Sequence, residues 1–467
     1  MEAIGVEISD VGLVAVAGHP ARLQPVDGAS TESPGYALPI KKGLLVGLAA
    51  LEQSRLYPRQ VNNRFWSQLS TYALPEDMAV VNNHAEMAFA HLQHLQGALQ
   101  ASQAPWFVTV PQFLDEPKLG ILLGMLQELR IPVGGLVSGP VAGCETVPEG
   151  ASALHVDVHL HTVEMVHLRQ DDRLYIQNSH VVLDVGWHDF LDQIGKGLAD
   201  EFVRATRFDP LHQASSEQQL YSQLLHMMWR KDKAERVTLE LSSGQTTRSL
   251  TVLPQMLQRD TLGMRNKIVA AIADVAKDDG QVVVQLSHRA AMVPGLAEDI
   301  ERKIGQSPIR LPVGASARGV LHMQGELVKE ADSTGVVFVT TRKVEHVKPP
   351  DRVMSQKPAE VADRAEPTHV LYEDRAVPLG VTPIHIGSTP ADGVTGILVE
   401  HAGEDVVADH LSIGLEKGIP TLRCTGTVWL GEEIVTQPCA VSLGQTIRFG
   451  AKPHEVRLIH VEPGHGA

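Results

Sequence analysis

The sequence predicts a mixed α/β region with a partly parallel sheet, joined by a tether to a small all-β module. Three observations carry this. Strand and helix patterns alternate between residues 83 and 150, the texture turns Pro-rich and charged after Val344, and short β-rich runs recur from His369 onward. At 467 residues the chain exceeds one compact core, so two or three domains are the natural expectation.

Residues 3 to 17 read as a hairpin, because apolar β-formers flank the short cluster Ser9-Asp10-Val11-Gly12. AEMAFAHLQHLQGALQ is amphipathic and predicts a helix, PWFVTVP a buried strand, DEPKLGILLGMLQELR a second helix and IPVGGLVS a second strand. Strands joined through helices in this way imply parallel neighbours. HVDVHLHTVEMVHL, residues 155 to 168, alternates so regularly that it predicts one strand. His155, Asp157, His159, His161 and His167 would share one face, with Val156, Val158, Leu160, Val166 and Leu168 on the other. A polar turn at Gln170-Asp171-Asp172-Arg173 and the run LYIQNSHVVLD follow. Helices are predicted at WHDFLDQIGKGLADEFVRAT, at SSEQQLYSQLLHMMWRKDKA and from Met256 to Val275, then a strand at QVVVQLS. In the second of these, Met227 and Met228 read as core-facing and Arg230, Lys231 and Lys233 as a solvated cationic helix end.

EHVKPPDRVMSQKPAEVADRAEPTH holds no apolar periodicity and reads as an extended tether. The boundaries expected are 1–344 for the α/β region, 345–367 for the tether and 368–467 for the β module.

With 43% hydrophobic and 20% charged residues the chain can bury cores. Acids exceed bases 55 to 40, a formal charge of -15, and no basic cluster stands ready to neutralise a phosphate backbone, so nucleic acid is not an expected partner. Three cysteines without CxxC spacing suit a reducing compartment, and Cys144 reads as a small buried residue. The start MEAIGVEISDVGLVAVAG lacks a basic lead-in and a long apolar run, and no window reaches the roughly 18 apolar residues of a membrane span. A cytoplasmic location is expected.

Taken in order, IGVEISDVGLVAV, APWFVTVPQFLDEPKLGILLGMLQELRIPVGGLVSGPVAG, ASALHVDVHLHTVEMVHL, DVGWHDFLDQI and QVVVQLSHRAAMVPGLAEDIERKIG resemble segments of the actin-like ATPase superfamily. The similarity is greatest to the nucleotide-binding domain of the seventy-kilodalton heat-shock chaperones and covers about residues 1 to 330. It implies a two-lobed actin-like fold closing over a cleft for ATP and magnesium, with IGVEISDVGLVAV as the first phosphate hairpin and ASALHVDVHLHTVEMVHL as the second. In such sites glycines admit backbone N–H groups to the phosphates, and side-chain bulk excludes them. Here the second hairpin has His159, Leu160 and His161 where the family has glycines, and the first reads Glu7-Ile8-Ser9-Asp10-Val11, with the glycine gone. Leu286, Ser287 and His288 replace a Gly-Gly-Ser adenosine segment, and NNRFWSQLS, around Trp66, lacks the family's catalytic lysine.

The expectation is therefore a non-hydrolysing pseudo-ATPase with a degenerate nucleotide cleft formed by Ser9, Asp10, His159, His161, Gly186, Ser287 and His288. No cofactor is expected. The alternative is an ATPase in which Glu7, Asp157, Asp184 and Asp189 serve catalysis, with Glu7 and Asp157 holding magnesium. Asp189 reads equally as an acid that starts a helix. Metal binding by His155, Asp157, His159 and His161 would need rotamers that overcome a spacing of about 6.5 to 7 Å between alternate residues.

From 369 to 462, PIHIGS, VVADHLSI, CTGTVWLGEEIV and VSLGQTIRFG resemble the forkhead-associated domain, a β-sandwich that binds phosphothreonine peptides. The family's phosphate-reading arginine, serine and asparagine are Ser388, Val407 and Thr425 here, and Leu430 replaces a second asparagine. Without the bidentate guanidinium, phosphothreonine peptide binding is not expected. His410 matches the family's histidine and reads as a packing residue. Both resemblances together imply a scaffold or regulatory component of a multi-protein assembly, with other proteins as partners. The resemblance does not extend to the chaperones' peptide-binding domain, so client refolding is not expected.

Overall fold

The computed structural model describes residues 2–74, 80–100, 104–148, 150–229, 236–277, 281–328 and 336–344. In the C-terminal part it describes 367–372, 375–380, 382–389, 396–399, 406–416, 419–430, 433–435, 438–441, 445–450 and 454–459. The chain divides into two compact units, Met1–Val347 and Lys348–Ala467. The tether read at 345–367 lies, but for its last residue, outside the described residues, as do Arg230, Lys231 and Lys233.

The first unit contains two sheets that repeat one topology. In the first, Ile4–Ile8 pairs antiparallel with Gly12–Ala17, which pairs antiparallel with Arg22–Leu23. On the other side of Ile4–Ile8 lie Trp106–Val110 and then Val133–Ser138, both parallel. In the second sheet, Ser152–Val158 pairs antiparallel with Thr162–Gln170, and that strand with Arg173–Leu183. Val282–Leu286 and then Ile309–Arg310 lie parallel on its other side. Two short strands near the end of the unit close the pattern: Phe338–Val339 joins the first sheet and Thr341–Lys343 the second.

The mostly apolar strands Trp106–Val110 and Val282–Leu286, each with one polar residue, are buried along their whole length, as central parallel strands are. Helices His84–Leu99 and Glu116–Glu128 cover the first sheet, each opened by a side-chain cap from Asn83 or Asp115. Trp187–Thr206, Ala214–Trp229 and Pro254–Lys277 cover the second. Met227 and Met228 pack into that core. A third cluster, with Phe107, Val137, Val166, Leu168 and Val320, joins the two sheets. There the helices Gly139–Gly143 and Ala315–His322 pack together, and a Cβ at Gly319 would collide with the Ala142 carbonyl.

Two sequence expectations need correction. HVDVHLHTVEMVHL is not one strand but parts of two, the arms of a hairpin that turns at His159-Leu160-His161, with the His159 N–H donating to the Thr162 carbonyl at 2.9 Å. The turn reverses the phase of the alternation. Asp157 lies opposite Glu164 and His155 opposite Val166, while His167 lies opposite Leu154 on the other face, so the five polar residues do not share one surface. The second correction is a hairpin, Val237–Ser243 with Thr246–Val252, where no strand was expected. Its signal was present in VTLELSSGQTTRSLTV: Leu239, Leu241 and Val252 are buried, and Gly244 takes the positive φ of +61° at the turn.

In the second unit two sheets share one core. One runs, in spatial order, Arg375–Pro378, His369–Tyr372, His454–Ile459, Thr446–Phe449, Val428–Leu430 and Glu433–Ile434. The other runs Gly396–Leu398, Ile384–Gly387, Leu411–Glu416, Ile419–Cys424 and Cys439–Ala440. Val370, Phe449 and Leu458 of the first meet Ile386, Ile413 and Leu422 of the second in the core. No helix occurs among the described residues of this unit.

Candidate functional site

The two hairpins that the sequence singles out end side by side, and two buried charge clusters form where they meet. Glu7 is on the strand Ile4–Ile8 and Asp157 on the matching strand of the second sheet, Ser152–Val158. Between them sits the guanidinium of Arg289, 1% exposed, from the short helix His288–Met292. Its Nη1 donates to Glu7 Oε1 at 2.7 Å and lies 3.8 Å from Asp157 Oδ2. Its Nε and Nη2 both donate to Glu32 Oε1, at 3.0 and 2.8 Å. Ser287 caps this helix by accepting from the Ala290 N–H at 3.0 Å and donates its own hydroxyl to Asp157 Oδ1 at 2.5 Å. His288 Nε2 lies 3.7 Å from Glu32 Oε2.

The electrostatics follow from burial opposed by the arginine. Burial alone would raise the Glu32 carboxyl, but Arg289 and then His288 hold it down to about 2. Asp157 is likewise kept below the usual carboxylate range, against burial, by the charges of His159 and Arg289. The same acids push the guanidinium up, so it stays charged.

The second cluster is built on His159. Its Nδ1 lies 3.3 Å from Ser9 Oγ and 3.4 Å from Asp10 Oδ1, and Asp10 Oδ1 also accepts from the Leu160 N–H at 3.1 Å. Nε2 stands 3.8 Å from Glu164 Oε2, an ion-pair distance too long for a hydrogen bond. Glu164 in turn accepts from the Gln112 N–H at 3.1 Å, and Phe113 meets the imidazole edge-on at 5.1 Å. Burial would lower the imidazole, yet Asp10 and Glu164 raise it well above the ordinary histidine value. His159 is thus a second buried cation.

Of the residues named from sequence, the structure brings together Glu7, Asp157, Ser287 and His288 in one cluster and Ser9, Asp10 and His159 in the other. His161 points elsewhere: its Nε2 meets Asn63 Oδ1 at 3.1 Å and its ring packs against His188 at 5.3 Å. Gly186 lies beneath the turn, where a Cβ would collide with the Leu160 carbonyl and the His161 amide. Asp184 is exposed at a left-handed φ of +57°, and Asp189 sits half-buried in the first turn of its helix, so neither joins the acid cluster. Burial raises the Asp189 carboxyl. Trp66 is buried and donates from Nε1 to His91 Nδ1 at 3.1 Å, which makes its position part of the core. Among the described residues no three His, Cys, Asp or Glu side chains form a group that could hold a metal.

Sequence reasoning missed Arg289, Glu32 and Glu164. Two of the three carry a signal: Glu164 interrupts the apolar run of its strand, and Arg289 is the one charge in LSHRAAMVPGL.

The cavity lined by Glu32, Tyr36, Leu160, Trp187, Leu191 and Met292 has a volume of about 30 Å³. Ligand pockets run to roughly 300–1,000 Å³, so this one is an order of magnitude short. On the far side of Met292 a second cavity of about 260 Å³ is bounded by Met228, Leu257, Met292, Val293, Pro294 and Gly295.

In the second unit His410 is buried, accepts from the Val407 N–H at 3.2 Å, places Nε2 2.9 Å from the Thr427 carbonyl and packs against Phe449. Ser388 is tied through its backbone to the Val407 carbonyl, while Thr425 and Val407 are exposed. Cys144 is buried, and burial pushes its thiol up to about 12. No helix among the described residues is long and apolar enough to cross a membrane. Compared with known proteins, the chain matches no family model and no curated protein.

Proposed function

We propose that the first unit is a divergent actin-like domain of the chaperone type that no longer hydrolyses ATP, and that the chain acts as a scaffold or regulatory component in a multi-protein assembly. The repeated sheet topology supports the fold reading, since an internally duplicated two-lobed domain requires two such sheets. The observation that carries the functional reading is Arg289. A divalent cation with bound phosphate needs free carboxylates and open space. Here a covalently attached cation already satisfies Glu7, Glu32 and Asp157, and His159 satisfies Asp10 and Glu164. The side chains of the chain itself supply the positive charge that magnesium would bring. The second unit is proposed as a forkhead-associated-like sandwich used for phosphate-independent protein contact. Its loops offer Ser388, Val407 and Thr425, and none of these carries a positive charge.

The alternative, a nucleotide-dependent switch, draws support from the 260 Å³ cavity, because Met292, Val293, Pro294 and Gly295, in the adenosine-like segment, line it. Thermal unfolding with and without millimolar Mg-ATP separates the two. A ligand bound to the native state must stabilise it by about 2.7 kcal/mol at a hundredfold excess over Kd. The pseudo-ATPase reading expects no change. A clear rise in melting temperature would transfer the argument to the switch.

A further inference from the structure

We propose that the chain self-associates through the open edge of its second sheet, the occupant of that edge being a second copy of the same chain. The edge strand is Arg173–Leu183. Its inner side is paired along its length with Thr162–Gln170, with one register shift that leaves Gln177 without a cross-strand partner. Its outer side is paired only at Arg173, Leu174 and Tyr175, by Thr341–Lys343. Among the described residues nothing pairs with residues 178–183 on that side, so every second backbone N–H and C=O there faces outward. Folded proteins guard such edges with charges, prolines or bulges that turn them away. The one bulge, at Gln177, lies before the open segment; the run NSHVVL beyond it has no Asp, Glu, Lys, Arg or Pro, and it exposes Val181 at 46% and Leu183 at 66%.

Two features favour a copy of this chain over an unrelated strand. Antiparallel pairing about a two-fold axis sets each segment against itself, where any charge near the axis would face its own kind, and this segment has none. The register that places Val181 opposite its copy puts Leu183 opposite Ser179, covering both exposed apolar side chains. The second feature lies on the neighbouring helix, Pro254–Lys277. A groove of about 630 Å³ runs between the strand and this helix, lined by His180 and Val182 on one side and by Lys267, Ala270, Ala271 and Asp274 on the other. That helical stripe is its own complement: a two-fold centred between Ala270 and Ala271 brings Lys267 to Asp274 of the copy, twice, with only methyl groups between. Within one chain Asp274 holds Lys277 at 2.7 Å, a pair more than 70% exposed on both sides and readily exchanged.

Sedimentation velocity of the full chain tests this. The wild type is expected to sediment as a dimer, and Val181→Lys, a change at an exposed side chain, as a monomer. Lys267→Asp and Asp274→Lys each set like charges against each other across the axis and weaken the dimer, while the double variant restores it. A wild type that stays monomeric at its highest soluble concentration would overturn the proposal. So would a dimer indifferent to Val181→Lys, or a double variant no better than either single one. If the chain is monomeric and Val181→Lys instead abolishes capture of another protein, the edge belongs to that protein and self-association fails.

Discussion

His91 and His159 are both buried, yet they respond to pH with opposite sign. The Trp66 indole donates to His91 Nδ1, so the Nε2 hydrogen is directed to Ser33 Oγ at 2.9 Å, and Ser33 donates onward to Asp27 at 2.8 Å. Burial, then the neighbouring His94, hold His91 neutral down to about 3. Between roughly pH 6.5, where an unfolded histidine takes its proton, and that value, the unfolded state binds more protons, so stability falls as pH falls. His159 is held charged by Asp10 and Glu164, so its contribution is complete below about pH 6.5 and is lost as pH rises through its elevated folded value. Denaturant titrations across pH 4 to 8, an interval of about four units around the histidine reference value, are expected to show a shallower acid limb for His91→Gln than for wild type. His159→Gln should lose most at the acid end, where wild-type His159 contributes fully. An unaltered acid limb in His91→Gln would mean that the histidine is already charged in the folded chain.

The turn His159-Leu160-His161 shows how an element can be legible in type and wrong in extent. Strict alternation gave the strand, but alternation alone cannot mark a reversal that contains no Gly, Pro, Asn or Asp, and this turn has none. What shapes it lies far away in sequence: the Leu160 N–H donates to Asp10, the Trp187 and His188 N–H groups donate to the His159 and Leu160 carbonyls, and Gly186 leaves room beneath. Gly186 has an extended backbone, with φ of -157°, so its role is purely steric. Gly186→Ala is accordingly expected to destabilise by about 1–3 kcal/mol through overpacking. Equilibrium unfolding measures this, and a neutral result would mean that the turn can lift away from the helix. The helix Trp187–Thr206, by contrast, could be read from sequence at both ends, because its apolar positions recur at helical spacing and Gly186 and Arg207 bound them. The hairpin Val237–Val252 is hard to read in the sequence because its exposed face is mostly Ser and Thr, which read as loop unless the buried Leu239 and Leu241 are taken as a pair.

At the scale of the whole chain, the sequence made the order of strands and helices visible, since each depends on local periodicity. It did not reveal which distant residues meet. Glu7, Glu32, Asp157 and Arg289 are separated by up to 282 positions and come together only because both sheets place their first hairpin toward the same space. This convergence is the centre of the functional account, which holds that a built-in arginine does the electrostatic work of a bound cation between the two halves. A buried ion pair broken on one side leaves uncompensated charge, which typically costs about 3–5 kcal/mol. Arg289→Met keeps an apolar stem in place of the side chain and removes its charge together with the N–H donors to Glu7 and Glu32. The most direct test is the unfolding free energy of that variant beside wild type, each with and without Mg²⁺. Arg289→Met is expected to lose about 3–5 kcal/mol, and the wild type to show no response to Mg²⁺. A variant as stable as wild type, or a wild type stabilised by the ion, would contradict this.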